Sequence, residues 1–310
     1  MGIALFINPR SRANRRNPAG IHALARAMGE TGQVLSPPSL DALTDVAAQL
    51  AQKPPAVIAI HGGDGTVHNV LTRLIPAFGD TPLPPLALLT GGTMNVVPRS
   101  LGLTAAPVAF MSQLASHIRA GHAPRVLTRR CLQVGAQYGF VFGNGVVAAF
   151  LEEYYATSSY GAARALWVGM RAVSSKLAGG AYGARALAPF SGRVLIEGEA
   201  LPGLRFTAIS AATVREVGLG FKLNHRADED PDRFNVVVIK ADPVALLADL
   251  LPVQFGQGIA ASRADSRLAT WVRLEPDRPG MPYTIDGDMY RSQGPLDLRI
   301  GPVLRLVRPG

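Results

Sequence analysis

The sequence predicts an α/β domain with a parallel sheet at residues 1–124 and a mainly antiparallel β domain at residues 125–310. The chain has 310 residues, about twice the length of a typical single domain. Strand and helix patterns alternate over the first part of the chain, and strand-like runs dominate after Pro124. This domain organisation also allows the C-terminal tail to return to the first domain.

In the first domain, four short buried strands alternate with amphipathic helices. Asn17 with Pro18, and Ser39, are predicted to cap the first two helices, and the third helix is expected to stop by Pro76. The predicted strands are residues 3–8, 33–35, 56–60 and 86–89. The apolar helix faces are Ile21, Leu24, Ala25 and Met28; Leu40, Leu43, Val46, Ala47 and Leu50; and Val67, Val70, Leu71 and Leu74.

The second domain contains eight strand-like runs and one amphipathic interruption. At residues 161–177 an apolar seam lies opposite a face that carries Trp167 and Arg171. This face fits either a membrane surface or an ordinary solvent-exposed helix. The predicted strands are residues 127–134, 140–147, 193–197, 206–212, 235–240, 271–274, 296–300 and 303–307.

Composition excludes a predominantly disordered chain, since 48% of the residues are hydrophobic and 17% are charged. The formal net charge of +9 favours anionic partners. Cys131 is the only cysteine, which excludes an intramolecular disulfide and fits a reducing compartment. No apolar run reaches the ~18 residues of a membrane span. We therefore expect a cytoplasmic protein that associates peripherally with a membrane.

The strongest motif is the glycine loop at residues 61–66, His-Gly-Gly-Asp-Gly-Thr, placed between a predicted strand and a predicted helix. Backbone N–H groups of such a loop and the start of the following helix suit phosphate oxygens. Asp64 adds a carboxylate where an anion is expected, which indicates a divalent cation or a proton to be moved. The loop is not a Walker A motif, and a dinucleotide fingerprint fails because His68 occupies its third glycine position.

A second strand-to-helix loop, Thr90-Gly91-Gly92-Thr93-Met94-Asn95, follows on the next strand. Thr93 and Asn95 are candidates to cap the helix or to bond a nucleotide. Ligands bind at the carboxyl ends of strands in open parallel sheets, where both loops are expected. Two phosphate-type loops on neighbouring strands predict one shared binding site.

These motifs together resemble the diacylglycerol kinase catalytic domain family, which includes bacterial lipid kinases, sphingosine kinases and ceramide kinases. The resemblance rests on the order and spacing of residues 8–11 (Asn-Pro-Arg-Ser), 62–66 and 92–95, with Arg99, and on residues 285–288, Ile-Asp-Gly-Asp. It implies a first domain of the phosphofructokinase and NAD-kinase type, a β domain that holds the lipid, and an active site between them.

The resemblance also implies roles for particular residues. ATP would bind at Asn8, Gly62, Gly63, Asp64, Gly65, Thr66, Gly92, Thr93 and Asn95. Asp288 is the candidate general base, with Asp64 and Asp286 as further catalytic candidates. Asp64 is also the candidate ligand for Mg²⁺ bound with the nucleotide. Gly145 is assigned to the lipid side by the resemblance, and Trp167 and Arg171 are assigned there by the amphipathic pattern of residues 161–177.

Three positions depart from the family pattern. Asp288 replaces the family's Glu and reaches one methylene less far. Val147 stands where the family often has Asp, in the run Gly143-Asn144-Gly145-Val146-Val147-Ala148. The acidic run Asp228, Glu229, Asp230 and Asp232 matches a structural magnesium site of bacterial members only in part, and we interpret it as a solvated acidic loop.

The expected activity is transfer of the γ-phosphate of ATP to a primary hydroxyl of a membrane lipid, either diacylglycerol or a ceramide or sphingoid base. NAD kinase shares the first glycine loop and is the alternative enzyme, although its usual Asn-Glu pair and downstream glycine motif are absent. A nucleotide- or lipid-binding protein with little turnover is the non-enzymatic alternative. The expected partners are ATP, Mg²⁺, a lipid substrate and an anionic membrane surface, with a homodimer allowed and no nucleic acid.

Overall fold

The computed structural model describes residues 2–149, 175 and 189–309. The chain divides into two compact units. The first, the N-terminal unit, comprises Met1–Cys131, Gln137–Gly139 and Pro302–Gly310, and the second, the C-terminal unit, comprises Leu132–Ala136 and Phe140–Gly301. The amphipathic segment expected at residues 161–177, with Trp167 and Arg171, lies outside the described residues apart from position 175.

The N-terminal unit contains a parallel sheet with helices, as the sequence predicts. The strand order is β2-β1-β3-β4, all parallel, and the last residues of β17 pair with β4 at Leu306 and Leu86. The strands are β1 (Ile3–Ile7), β2 (Gly32–Leu35), β3 (Val57–Gly62), β4 (Leu86–Thr90) and β6 (Gln137–Gly139), with β5 (Val126–Val134) and β17 (Leu296–Val307) shared by both units. The helices are α1 (Arg12–Arg16), α2 (Pro18–Met28), α3 (Leu40–Gln52), α4 (Asp64–Phe78), α5 (Val96–Ser100) and α6 (Pro107–Arg119), with a 3₁₀ turn at Gly29–Thr31.

Local capping explains where the helices begin. The side chain of Asn17 accepts a hydrogen bond from the Gly20 N–H, and that of Ser39 accepts one from the Ala42 N–H. Helix α4 runs through Pro76 and ends at Phe78, so the predicted stop at Pro76 was wrong. A proline this close to the end removes a single helical bond. Gly79, with φ +54°, supplies the actual stop.

The core of this unit lies between the sheet and its helices. Fully buried residues of β1, β3 and β4 pack against α2 and α6, and Leu24, Phe110 and Met111 are among the helix residues in that cluster. Every residue of β1 and β3 is buried, as expected for central parallel strands. The sheet is therefore a rigid base for the loops that follow β3 and β4.

The C-terminal unit is mainly antiparallel. A six-stranded sheet has the order β13-β12-β11-β7-β15-β16, and a second set has the order β10-β8-β14 followed by the first part of β17, with β9 beside β8. The strands are β7 (Val141–Asn144), β8 (Phe190–Ile196), β9 (Glu199–Ala200), β10 (Arg205–Phe206), β11 (Ala208–Ala212), β12 (Phe234–Ile239), β13 (Ala264–Ala269), β14 (Trp271–Pro276), β15 (Pro282–Ile285) and β16 (Asp288–Arg291). A 3₁₀ turn at Ala245–Asp249 leads directly into α7 (Leu250–Gln254).

Several strand predictions in this unit need correction. The strand expected at residues 140–147 ends at Asn144, because Gly145 has φ +59° and residues 146–149 are helical. The run 206–212 is split at Thr207 into β10 and β11, whereas the runs 296–300 and 303–307 form one continuous strand. Strands β9, β13, β15 and β16 were not predicted.

Candidate functional site

The two glycine loops follow adjacent parallel strands of the N-terminal unit. The register pairs His61 with Leu89 and Gly62 with Thr90, so strands β3 and β4 end at the same edge of the sheet. The Gly91 N–H then donates to the Gly62 carbonyl oxygen at 2.9 Å, beyond the last paired residues. The predicted meeting of the two loops is therefore present in the backbone itself.

Glycine is required where the loops touch. A Cβ atom built on Gly92 would lie 2.3 Å from the Gly63 Cα, and one on Gly63 would lie 3.2 Å from the Gly92 Cα. A Cβ on Gly62 would lie 2.4 Å from the Thr66 Oγ1. A side chain at Gly63 or Gly92 would force the two loop backbones apart, and one at Gly62 would collide with the Thr66 side chain.

Asp64, the first residue of α4, connects the first loop to the second. Its side chain is 8% exposed, and its Oδ1 accepts a hydrogen bond from the Val97 N–H, in the first turn of α5, at 3.2 Å. Burial raises the pKa of Asp64 above its ordinary value, while the backbone N–H groups of Val96 and Val97 and the charge of Arg99 oppose the rise. The carboxylate therefore caps α5.

Asn95 holds the second loop in shape. Its φ is +48°, and its side-chain amide makes two bonds to Gly92: the Gly92 N–H donates to Oδ1 at 2.9 Å, and Nδ2 donates to the Gly92 carbonyl at 3.1 Å. Both groups of the amide are thus used within the loop. The side chain of Thr93, at the tip of the loop, is exposed.

The end of β1 is the third part of this site. The Nδ2 of Asn8 donates to the Thr66 Oγ1 at 3.1 Å, and its Oδ1 accepts from the Arg10 N–H at 2.9 Å. The Ser11 hydroxyl donates to the Gly91 carbonyl at 3.2 Å. Asn8 and Ser11 therefore tie the chain after β1 to the first and second glycine loops respectively.

Sequence reasoning missed three residues of this arrangement. Ser11 lies in the quoted Asn-Pro-Arg-Ser motif, and buried Asn14 donates its Nδ2 to the Asn8 carbonyl at 2.8 Å. His61 is 7% exposed, and its Nδ1 is buried without a hydrogen-bond partner among the described residues. Burial lowers the pKa of His61, while a hydrogen bond with the Leu89 backbone opposes the shift. Its place directly before the glycine loop was the signal that could have singled it out.

His68, the residue that breaks the dinucleotide fingerprint, is fully buried. Its Nδ1 lies 2.8 Å from the Tyr138 carbonyl oxygen, and Thr72 exchanges hydrogen bonds with the backbone of the same tyrosine. These contacts attach α4 to β6. Position 68 is therefore used for packing within the N-terminal unit.

The chemistry of the loops fits a phosphate group. Helix α4 begins at a glycine N-cap, so no cap side chain occupies the space beyond its first turn. A long helix with this start directs backbone N–H groups and the positive end of its dipole outward. In residues 2–149, 175 and 189–309, no three His, Cys, Asp or Glu side chains are grouped to hold a metal ion.

In the C-terminal unit, residues 285–288 form a two-residue hairpin turn between β15 and β16. Ile285 pairs with Asp288, and both central residues have positive φ, +49° for Asp286 and +91° for Gly287. This is the conformation of a type I′ turn, for which Asp-Gly is a preferred sequence. The turn sets the two carboxylates apart, since Asp286 is inside it and Asp288 begins β16.

The two carboxylates have different surroundings. Asp286 is 9% exposed, and its Oδ1 accepts hydrogen bonds from the Phe140 N–H at 3.1 Å and the Val141 N–H at 2.9 Å. Asp288 is half-buried. The structure therefore ties Asp286 to the backbone that leads into β7.

The remaining candidates belong to the same unit. Gly145 allows the turn after β7, where a Cβ would lie 2.4 Å from the Thr207 carbonyl oxygen. Val147 packs against the hydrophobic cluster that contains Ala208 and Val237, in the position where the family often has Asp. In the acidic run, Asp228, Glu229 and Asp230 each form an ion pair with an arginine. The partners are Arg215, Arg226 and Arg233, an arrangement that agrees with a charged surface loop.

A comparison with protein-family models identifies a family that the first part of the chain resembles. The diacylglycerol kinase catalytic domain model matches residues 2–125, the part of the chain that contains both glycine loops. Residues 2–125 are therefore similar to the catalytic domain of diacylglycerol kinases. No curated protein matches the sequence closely enough to count as a relative.

Solved structures of similar fold extend over the whole chain. A diacylglycerol kinase from Bacillus anthracis strain Sterne is 16% identical with a TM-score of 0.65, and covers 99% of this chain and 96% of its own. Two further structures, described as candidate diacylglycerol kinases of the same organism, have 14% and 15% identity and TM-scores of 0.70. They cover 99% of this chain and 96% and 97% of their own. At such low identity these matches show the fold.

Proposed function

We propose that this chain is an ATP-dependent lipid kinase that transfers the γ-phosphate to a primary hydroxyl of a membrane lipid. The observation that carries the proposal is the pair of glycine loops held together by Asp64 and by the Gly91–Gly62 backbone bond. The diacylglycerol kinase catalytic domain at residues 2–125 supports it, since phosphoryl transfer is the chemistry of that family. Diacylglycerol is the acceptor we test first, followed by ceramide and sphingosine.

In this proposal the N-terminal unit binds the nucleotide. Backbone N–H groups of residues 63–65 and of Thr93 hold the phosphates, since the Gly92 N–H is bonded to Asn95 and the Thr66 N–H to the Gly63 carbonyl. Asn8 and Asn95 keep the loops in shape through the bonds described above. Asp64 is the candidate protein ligand for a Mg²⁺ ion that would accompany the nucleotide, and such an ion would neutralise charge on the transferred group. Positioning and charge neutralisation provide most of the acceleration in phosphoryl transfer.

In the C-terminal unit, Asp288 is the proposed general base. Its carboxylate accepts the proton of the lipid hydroxyl, whose oxygen forms a bond to the γ-phosphorus as the bond to the β–γ bridging oxygen breaks. The products are ADP and a phosphorylated lipid. Removal of a general base of this kind lowers the rate by about 10² to 10⁴-fold.

The decisive assay measures transfer of labelled γ-phosphate from ATP to diacylglycerol, ceramide, sphingosine or NAD in the presence of Mg²⁺. We expect a labelled lipid, strongly reduced in Asp288→Asn, with Asp277→Asn as the matched control because Asp277 is an exposed carboxylate of the same unit. Product with NAD alone would identify a NAD kinase. ATP binding without any product would indicate a binding protein, and normal turnover in Asp288→Asn would remove that residue from the mechanism.

Among residues 2–149, 175 and 189–309, no helix combines the length and hydropathy that a membrane span requires.

A further inference from the structure

Three large apolar side chains are exposed together at the end of the helical segment 245–254. Leu250 is 42% exposed, Leu251 66% and Phe255 72%, the last two being the most exposed large hydrophobic residues in the described part of the chain. Single exposed apolar residues are ordinary on protein surfaces. A group within six consecutive residues indicates a surface that another apolar phase covers.

The segment that carries these side chains is held in place by contacts with the rest of the C-terminal unit. Val253 is 6% exposed and packs into the cluster formed by residues of β11, β12 and β13. The Val253 carbonyl accepts a hydrogen bond from the Lys222 N–H at 3.1 Å. Asp249, just before α7, is held by Arg263 through two hydrogen bonds of 2.7 and 2.8 Å. The exposed side chains are therefore presented by a fixed support.

Leu251 and Phe255 belong to one turn of the chain. The Phe255 N–H donates to the Leu251 carbonyl at 3.1 Å, which is the bond of a helical turn. Residues four apart in such a turn lie on the same side. The two most exposed apolar side chains thus form one protrusion.

The charges around this protrusion fit an anionic lipid surface. The sequence has no charged residue between Asp249 and Arg263, and these two neutralise each other. Basic side chains lie beside Gly256, the next residue: a Cβ there would be 3.3 Å from the Arg215 Nη2 and 3.4 Å from the Lys222 Cδ. Arg215 also pairs with Asp228 at 4.0 Å, so Lys222 is the main cation we expect to meet a headgroup. Apolar side chains next to basic ones are typical of interfacial membrane contacts.

We propose that Leu250, Leu251 and Phe255 insert into the boundary between headgroups and acyl chains of an anionic bilayer, with Lys222 on the headgroups. The choice of a bilayer over a protein partner rests on the proposed function, since a lipid kinase finds its acceptor in a membrane. The net charge of +9 acts in the same direction.

Sedimentation with vesicles, without ATP, tests this surface. Wild type should bind vesicles of phosphatidylcholine with phosphatidylglycerol, and the double variant Leu251→Ser, Phe255→Ser should partition about 100-fold less, at about tenfold for each large side chain. Leu204→Ser is the matched control, because Leu204 is 57% exposed in the same unit but apart from the protrusion in sequence. Lys222→Glu should weaken binding about fivefold or more on anionic vesicles only.

A tryptophan fluorescence measurement completes the test. Phe255→Trp should retain vesicle binding and report insertion by quenching of its fluorescence by lipids brominated on the acyl chains. Circular dichroism verifies that each variant is folded. The proposal is overturned if wild type does not bind anionic vesicles, if the double variant binds as wild type does, or if the Phe255→Trp signal is not quenched beyond that of wild type.

Two other results separate this proposal from neighbouring ones. If light scattering shows a dimer that the double variant dissociates while vesicle binding is unchanged, the protrusion is a contact between copies of the chain and the membrane proposal fails. If wild type binds vesicles through this surface but phosphorylates no lipid, the lipid kinase proposal fails and the membrane surface stands.

Discussion

The contact between Gly63 and Gly92 provides the sharpest test of the nucleotide site. The φ of Gly92 is not positive, so its backbone conformation is open to alanine and the effect of Gly92→Ala is purely steric. The new Cβ would lie 2.3 Å from the Gly63 Cα, 3.0 Å from the Asn95 Oδ1 and 3.2 Å from the Gly63 nitrogen. Ordinary van der Waals contact begins at 3.4 Å, and the nearest of these three atoms is backbone.

The expected magnitude follows from that overlap. The two loops must separate by about 1 Å to accept the methyl group, and overpacking of this kind costs about 1–3 kcal/mol of unfolding free energy. A displacement of about 1 Å in groups that position a substrate lowers turnover about 100-fold. We therefore expect a modest loss of stability together with a large loss of ATP-dependent phosphorylation.

A graded series of alanine variants isolates the cause. In Gly63→Ala the nearest atom is the Gly92 Cα at 3.2 Å, which a small shift relieves, so its effect should be intermediate. Gly294→Ala is the control, since a Cβ there has no atom within 4 Å and the φ is not positive. Calorimetric titration with ATP and thermal unfolding measure the two effects. Wild-type ATP affinity in Gly92→Ala would refute the reasoning that the two loops form one phosphate-binding site.

Three further predictions follow from single contacts. Asp286→Ala leaves two buried N–H groups without an acceptor and should lower the unfolding free energy by about 1–3 kcal/mol, whereas Asp288→Ala should change it less; chemical denaturation compares them. Asn95→Ala should reduce the rate of phosphorylation more than Asn95→Gly does, because glycine keeps the positive φ at no steric cost. A labelled-phosphate assay compares the two rates. Arg263 lowers the pKa of Asp249, so this pair stabilises the fold above the ordinary carboxyl pKa and ceases to do so as the pH falls through the lowered value; the unfolding midpoint of Arg263→Gln should approach that of wild type in acid.

Local signals explain which parts of the fold were predictable. The caps at Asn17 and Ser39 depend on residues within three positions, and the buried strands on short apolar runs. The glycine loops lie at strand ends, where parallel topology alone brings them together. Such features depend on residues that are consecutive in the sequence, so the sequence predicts them with small errors at their ends.

Long-range contacts explain what was missed. Asp64 bonds to a backbone group 33 residues away and Asp286 to one 145 residues away, and no local pattern encodes either pairing. Strand β13 escaped prediction because only its first, fifth and sixth residues are apolar. Within it the charges of Asp265 and Arg267 neutralise each other through hydrogen bonds of 2.8 and 3.0 Å. Only its pairing with β12 makes this segment a strand.

Among the three candidate catalytic carboxylates, Asp288 is the proposed base because it stands where the family that the chain resembles has its Glu. Asp64 and Asp286 accept backbone N–H groups, and breaking those bonds costs about 1–3 kcal/mol for each group left unpaired. We therefore propose that Asp288 accepts the proton. Asp288→Glu tests this, because it restores the longer side chain of the family with a similar pKa. If Asp288 is the base, Asp288→Glu should keep or raise the rate of lipid phosphorylation and Asp288→Asn should lose it, whereas equal loss in both variants would indicate a role in shaping the hairpin.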